Sequence, residues 1–444
     1  MKVTETLARY AVEASFSSFP KEVIHQGKRC FLDLLGVALG GSDQPLSGIL
    51  MGLARDFGGR PQATVWGSGF KTSVLNAAFI NGAMAHALDY DDTHIHSIMH
   101  PSAPVIPAVL AIAEWQKLSG RRVLEAFIAG YEIETRIGLG MGNKLYARGW
   151  HATSIFGRFG AAAAAGRLFQ LSLDQMTQAL GLAGTQAAGF RLVFGTMAKP
   201  FHPGKAAYDG VLSAILAGRG FTCVRDILEG NKGYITVFGE DSKAARMVKG
   251  LEKTYEILNN TFKPYAACLL THPTIDGLIR LKKQHKIEAE DAAEIRSEVT
   301  RFCLEAAGQK EPKTALAGKF SIYYCAALAL KEGVAGEDMF TAPRVLDSRM
   351  ILLRKRVNVR VNPRLRDTEA KVTVIMKDGK KYDLFVNRPK GDPRNPLTDE
   401  ELEYKFRTLA SFALPKGKVN SLAKMIWNLD RVKDVRQMIR LCHS

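Results

Sequence analysis

The feature that most constrains the fold is a helical pattern that continues almost without interruption over residues 4 to about 262. Apolar residues recur there at helical spacing, and the predicted helix faces are rich in alanine and glycine, which let helices approach closely. A helix is predicted to open at Ser172, because Gln175 three residues later completes a capping box. The pattern predicts a large all-α domain over residues 1–263.

The pattern changes after Pro264, where a helix near residues 273–284 is followed by alternating segments. The segments predicted as strands are 294–303, 356–361, 370–376 and 381–386. Asp378-Gly379 separates the last two, which is a strong hairpin signal. We predict an α+β domain over 264–394 and helices over 395–444, capped by Thr398, that return to the first domain. The expected fold class is mainly α, with a smaller inserted α+β domain.

Composition limits the class of protein and its partners. At 444 residues the chain is longer than one core usually supports. Its formal charge is +17, but the basic residues of the C-terminal third are spread over strands and turns without interleaved aromatics. We therefore predict a solvated basic face, or one that attracts small anionic substrates, and no nucleic-acid partner.

The sequence also bears on compartment. We see no export signal, and the longest weakly polar stretch, 157–189, is interrupted by arginine, aspartate and glutamine, so no membrane span is expected. The six cysteines form no paired motif, which predicts buried, reduced thiols. We expect a cytoplasmic protein.

One loop concentrates chemically active side chains. Leu88-Asp-Tyr-Asp-Asp-Thr-His-Ile-His-Ser-Ile-Met-His-Pro-Ser-Ala103 holds three aspartates, three histidines and a threonine. It follows a buried helix over 74–88, whose C-terminus is an unfavourable place for acids because the macrodipole is negative there. Ser102 is predicted to cap the next helix, which Gly120 would end. Acidic residues in such an unfavourable place, in a loop between two rigid helices, are typical of a functional site.

Further segments offer groups for the same chemistry. The candidates in them are His151, Lys199, His202, Lys205, His272, Lys319, Ser321 and Tyr324. Lysines and histidines can hold the carboxylates of a small polyanion, while His, Tyr or Asp can move a proton at the carbon next to a carboxylate. Dehydration, decarboxylation and epimerisation of such acids share this step, and the residues alone leave all three open.

Other classes fit less well. His94 and His96 with the nearby aspartates also fit a metal-dependent hydrolase, which would activate a water molecule. Gly138-Leu-Gly-Met-Gly142 resembles a dinucleotide-binding fingerprint, but it follows a helical pattern and lacks the third glycine at the required spacing. Neither a G-x-S-x-G elbow nor a Walker A sequence occurs. Proton transfer without a metal is the favoured interpretation.

The motifs, in this order, resemble the MmgE/PrpD family, which includes 2-methylcitrate dehydratase, cis-aconitate decarboxylase and iminodisuccinate epimerase. The resemblance rests on Leu88-Asp-Tyr-Asp-Asp-Thr93, His100-Pro-Ser102, Gly149-Trp-His151, Lys199-Pro-Phe-His-Pro-Gly-Lys-Ala206, Lys263-Pro-Tyr265, Thr271-His-Pro273, Lys319-Phe-Ser321 with Tyr324, and Asn395-Pro-Leu397. It implies a metal-independent homodimeric enzyme without a cofactor, acting on a small polycarboxylate. It also implies an active site in the cleft between a helical domain and a smaller α+β lid.

The resemblance further implies site residues. We predict as catalytic His100, His151, Lys199, Asp89 and Tyr324, and as substrate-binding Thr93, His272, Lys199 and His202. Our hypothesis is that Lys199 pairs with a substrate carboxylate and that His100 or His151 exchanges the proton. Asp89 would orient an imidazole.

Departures from the family pattern narrow the substrate. Ala103 stands where the 2-methylcitrate dehydratases carry an acidic residue, and their longer loop before His100-Pro-Ser102 is missing. Both departures disfavour methylcitrate itself. We predict a lyase acting on a small di- or tricarboxylic acid, with dehydration as the leading reaction and decarboxylation and epimerisation as alternatives.

Overall fold

The structure is a computed structural model, which describes residues 2–443. Helices hold 59% of the chain and strands 9%, which confirms the predicted mainly α fold class. Contacts within the chain divide it into two compact units. Unit 1 comprises residues 2–87, 91–261 and 398–443, and unit 2 comprises residues 88–90 and 262–397.

Unit 1 is built almost entirely of helices up to residue 261. They are α1 (Val3–Glu13), α2 (Lys21–Gly40), α3 (Pro45–Phe57), α4 (Val74–Ala87), α5 (Ser102–Gln116), α6 (Gly120–Met141), α7 (Lys144–Ala147), α8 (Ala152–Leu168), α9 (Leu173–Gly184), α10 (Ala198–Gly218), α11 (Tyr234–Phe238) and α12 (Ala244–Val248). Its strands are β1 (Ala63–Thr64), antiparallel to β2 (Lys71–Thr72), and β3 (Thr93–His94), antiparallel to β4 (Asn260–Thr261).

Small residues allow the central helices of unit 1 to pack closely. Helix α10 packs against α4 and α8, and α6 packs against α8. A Cβ atom on Gly82 of α4 would lie 2.8 Å from the Cα atom of Gly204 in α10, so this crossing requires glycine. The close packing brings together the ends of α4, α5, α8 and α10, which carry candidate residues.

Not all predicted helix ends are correct. The capping box of Ser172 is present. Helix α5 does begin at Ser102, but the Ser102 hydroxyl donates to Asp92 rather than capping the helix, so that prediction was wrong. Gly120 begins α6 instead of ending α5. Helix α5 ends before Lys117, its C-cap residue, which adopts the left-handed conformation with φ of 56°.

Unit 2 combines helices with one four-stranded sheet. Its elements are α13 (His272–His285), β5 (Ala292–Val299), α14 (Arg301–Ala307), α15 (Ala315–Lys319), α16 (Ile322–Glu332), α17 (Ala342–Val345), α18 (Ser348–Arg354), β6 (Val357–Val361), β7 (Ala370–Met376) and β8 (Lys381–Val386). The strand order is β6-β5-β7-β8, with β5 and β6 parallel and the other pairs antiparallel. The predicted hairpin at Asp378-Gly379 is confirmed. The strand predicted over 294–303 ends at Val299, because Thr300 caps α14.

The last helices belong to unit 1: α19 (Asp399–Ala410), α20 (Lys416–Trp427) and α21 (Arg436–Ile439). Thr398 forms the capping box of α19, as predicted, and α19 packs against α2. Across residues 2–443, every helix is too short or too polar to cross a membrane.

Candidate active site

Several helix ends of unit 1 carry candidate side chains. His86 lies in the last turn of α4, and His100 lies two residues before the start of α5. His151 is the N-cap residue of α8, while Lys199 and His202 lie in the first turns of α10. The N-terminus of a helix carries partial positive charge, so the starts of α5, α8 and α10 favour an anionic ligand.

Four histidines of these ends lie in contact as one group. The ring centroids of His86 and His100 are 4.5 Å apart, and those of His86 and His151 are 6.0 Å apart. Nδ1 of His151 lies 2.9 Å from Nδ1 of His202. We call His86, His100, His151 and His202 the imidazole cluster. The fold thus brings together the candidates His100, His151 and His202.

Asp91 is the carboxylate that contacts the imidazole cluster within unit 1. Its oxygen atoms lie 2.8 Å and 2.9 Å from Nδ1 of His86, and Oδ2 lies 3.4 Å from Nδ1 of His100. That same His100 nitrogen is 2.9 Å from the main-chain oxygen of Asp92 and 3.4 Å from Oγ1 of Thr93. His86 and Asp91 were not among the predicted site residues. A histidine in an apolar helix, five residues before an aspartate, was the available signal.

Lys199 reaches the same region through Phe194. The Lys199 ammonium lies 5.0 Å from the centroid of the Phe194 ring, and that ring lies 5.0 Å from the His151 ring. The main-chain N–H of His151 donates to the oxygen of Gly189 over 3.1 Å, which ties the start of α8 to the segment before α10. A cation and an imidazole therefore flank one aromatic ring.

The innermost histidines are kept neutral. Burial lowers the pKa of His151 well below its ordinary value, and the nearby His86 and Lys199 lower it further. Burial likewise lowers the pKa of His202 to about 4, with contributions from His86, Arg158 and Lys199. Both rings can therefore donate from one nitrogen and accept at the other near neutral pH.

Asp92 holds the loop that carries His100 through hydrogen bonds to its carboxylate. Ser102 Oγ donates to the Asp92 carboxylate over 2.5 Å, and Asn260 Nδ2 donates to it over 2.8 Å. Burial raises the pKa of Asp92 to about 7, although these hydrogen bonds lower it. The contacts hold the loop before α5 at both ends of the His100 segment.

Asp89 belongs to unit 2. It adopts a left-handed conformation with φ of 51°. Lys263 donates to its main-chain oxygen over 2.6 Å and lies 3.5 Å from its carboxylate. Lys319 donates to the main-chain oxygen of Leu88 over 2.6 Å and to Glu337 over 2.6 Å. We call Lys263 and Lys319 the lysine pair, which fixes the backbone at residues 88 and 89.

The remaining candidates of unit 2 have partners of their own. His272 is buried at the start of α13, with Nε2 3.2 Å from the oxygen of Ala267. The Tyr324 hydroxyl donates to the oxygen of Met339 over 2.7 Å, and burial raises the pKa of Tyr324. Ser321 is the N-cap of α16 and accepts from the Tyr324 main-chain N–H. Ser321 thus has a helix-capping role.

His94 and His96, on which the metal alternative rested, have separate surroundings. Nδ1 of His94 lies 2.8 Å from Ser97 Oγ, and its Nε2 faces Glu256 at 3.3 Å. His96 is exposed, and its ring centroid lies 6.0 Å from that of His94. Gly138-Leu-Gly-Met-Gly142 lies at the end of α6 rather than after a strand, as the helical pattern predicted.

Comparisons with known proteins agree with this arrangement of motifs. The model of the MmgE/PrpD N-terminal domain matches residues 5–247, and that of the C-terminal domain matches residues 265–431. Similar relatives include cis-aconitate decarboxylase of Aspergillus terreus, which is 26% identical over 99% of this chain and 95% of its own length. The Mus musculus cis-aconitate decarboxylase is 28% identical over 99% of this chain and 93% of its own. The Homo sapiens cis-aconitate decarboxylase is 28% identical over 97% of this chain and 92% of its own length.

The two family models together cover most of the chain, in the order in which the motifs occur. The expected resemblance is therefore confirmed, and the chain belongs to the MmgE/PrpD family.

Proposed function

We propose that this chain is a decarboxylase of small tricarboxylic acids, with cis-aconitate as its substrate. The relatives favour decarboxylation, which the sequence analysis gave as an alternative, over dehydration, which it ranked first. The charge of +17 supports an anionic substrate, because a positive field raises the local concentration of polycarboxylates.

The observation that carries the proposal is the neutral His151 beside His86 and Lys199. A neutral imidazole in a buried position can give a proton to a carbon atom that has lost CO2. In the proposal, Lys199 and the helix N-termini hold the carboxylates that remain. Asp91 stabilises a positive charge on His86 or His100 and so offsets the charge of the substrate.

Decarboxylation has a simple proton balance. The bond between carbon and the leaving carboxylate breaks, CO2 departs, and the electron pair left behind forms a new C–H bond with one proton. The oxygen and nitrogen donors around the imidazole cluster would stabilise the negative charge that develops on the conjugated carboxylate during this step.

The proposal is tested by incubating the protein with cis-aconitate, citrate, methylcitrate and iminodisuccinate in deuterated water, followed by mass spectrometry. We expect CO2 release from cis-aconitate and one deuterium in the product. Loss of water without CO2 release would favour dehydration instead. Inversion of iminodisuccinate with deuterium exchange would favour epimerisation.

The resemblance also implies metal independence, a homodimer and a cytoplasmic location, which belong to the same proposal. A chelator should leave the activity unchanged, whereas chelator-sensitive activity with stoichiometric zinc or iron would favour the metal-dependent hydrolase. Sedimentation of the purified protein tests the homodimer.

A further inference from the structure

A pair of histidines connects the imidazole cluster to a separate cavity of unit 1. His202, whose Nδ1 faces Nδ1 of His151 at 2.9 Å, also lines a cavity of about 370 Å³. Lys205 lines the same cavity with a side chain that is 39% exposed, so the cavity reaches solvent. One water molecule occupies roughly 30 Å³, so several fit.

We propose that His202 relays protons from water in this cavity to His151 and so supplies the proton that the reaction consumes. This inference rests on the proposed function, because a decarboxylase takes up one proton in each turnover. His151 is only 2% exposed, so its proton has to be replaced through a neighbouring group. The relay differs from the substrate-binding role predicted for His202 from the sequence.

The relay uses both nitrogen atoms of each ring. His202 takes a proton from water on Nε2 while it passes its Nδ1 proton to Nδ1 of His151. His151 gives its Nε2 proton to the carbon atom, whose electron pair, freed by the loss of CO2, forms the C–H bond. The water molecule becomes hydroxide, and the transfer leaves His202 protonated on Nε2 and His151 on Nδ1. A half-turn of each ring about its Cβ–Cγ bond directs these N–H groups toward His151 and the substrate for the next turnover.

The charges around the two rings suit transfer through neutral imidazoles. His86 belongs to the imidazole cluster, and the Lys199 ammonium lies near the Phe194 ring that contacts His151. Arg158 of α8 lines the cavity. These groups disfavour a lasting positive charge on His202, so a proton that enters is passed on rather than retained. Arg158 is itself fixed by Asp209 at 2.9 Å, which keeps this environment constant.

The first test is His202→Ala in the full-length protein, with cis-aconitate as substrate. We expect kcat to fall on the order of 100-fold, because proton transfer by a positioned side chain contributes typically 10²–10⁴-fold. KM should change by less than about twofold if the relay, rather than substrate binding, is lost. Added imidazole, which fits the cavity, should restore kcat in proportion to its concentration.

His202→Gln separates relay from positioning. Glutamine keeps a hydrogen-bonding group near His151 but cannot pass a proton between two nitrogen atoms. It should therefore be as slow as His202→Ala, and it serves if the alanine variant does not fold. Wild-type kcat in His202→Gln, or an alanine variant that imidazole does not rescue, would overturn the relay.

Gln186→Ala is the matched control, because Gln186 lines the same cavity and its side-chain amide donates to the oxygen of Leu182 and to Ser213 Oγ. It should keep wild-type kcat and show no response to imidazole. Deuterium incorporation is measured in the same reactions, so the two proposals can fail separately. Wild type that incorporates deuterium without CO2 release contradicts the decarboxylase but leaves the relay comparison valid. Wild type inert toward every acid contradicts both.

Discussion

The buried side chains of the imidazole cluster in unit 1 and of the lysine pair in unit 2 differ in their partners and in their charge. Lys263 donates to main-chain oxygen beside the Asp89 carboxylate, and Lys319 donates to main-chain oxygen and to Glu337. His151 and His202 instead contact each other through Nδ1, and nearby cations disfavour a charge on either ring. The lysine pair is held by ion pairs, whereas His151 and His202 of the imidazole cluster are neutral rings.

The difference assigns different tasks to the two regions. A buried ion pair with hydrogen bonds to the main chain fixes geometry, and it is costly to break because one charge is left without a partner. A buried neutral imidazole with a strongly lowered pKa is typical of a group that transfers protons. We therefore expect substitutions in the imidazole cluster to reduce turnover and those in the lysine pair to reduce stability.

The largest effect is expected for His151→Asn. It should lower kcat by about 10²–10⁴-fold, because a general acid is lost. The melting temperature should stay close to wild type, since His151 is neutral and asparagine is also polar. Steady-state kinetics and thermal unfolding measure the two effects. His25→Asn, which removes a half-exposed histidine paired with Asp399, is the control and should leave both unchanged. Wild-type turnover in His151→Asn would remove the distinction between the two regions.

Elements that are specified by a few neighbouring residues were predicted correctly from the sequence. The strands β7 and β8 have the predicted bounds, because alternation and Asp378-Gly379 specify a hairpin within a few residues. The end of the strand predicted from residue 294 was wrong, because Thr300 can end a strand as well as cap a helix.

The candidate site was harder to predict, because its contacts join distant residues. His86 was missed because a histidine in an apolar helix is usually a core residue, and its position five residues before Asp91 is a weak signal without the contact between the two side chains. Ser102 follows the pattern of a cap, but Asp92, ten residues earlier, takes its hydroxyl. The roles of His202 and Asp92 depend on burial, which a single sequence does not specify.

A second effect is expected in the lysine pair. Lys263→Met should lower the free energy of unfolding by about 3–5 kcal/mol, because it leaves the buried Asp89 carboxylate without its cation. Urea unfolding followed by circular dichroism measures the loss. Lys380→Met is the matched control, since it breaks the exposed pair with Asp378 and should cost at most about 1 kcal/mol. A loss below that value in Lys263→Met would contradict the stabilising role.

The smallest effect concerns acid stability. The pKa of His202 is lowered to about 4 in the folded protein, whereas histidine in the unfolded chain takes up a proton near pH 6.5. The unfolded state therefore binds more protons between these values, so the contribution of His202 to stability is lost as the pH drops below about 6.5 and changes no further below about pH 4.

His202→Gln removes this term and should reduce the fall in stability between pH 7 and pH 5 by on the order of 1 kcal/mol. The measurement is the melting temperature at the two pH values. His285→Gln, which removes an exposed imidazole of α13, should keep the wild-type fall. If the wild type and His202→Gln lost stability in parallel, His202 would not be held neutral by its surroundings. The imidazole cluster would then resemble the lysine pair more than the contrast between them implies.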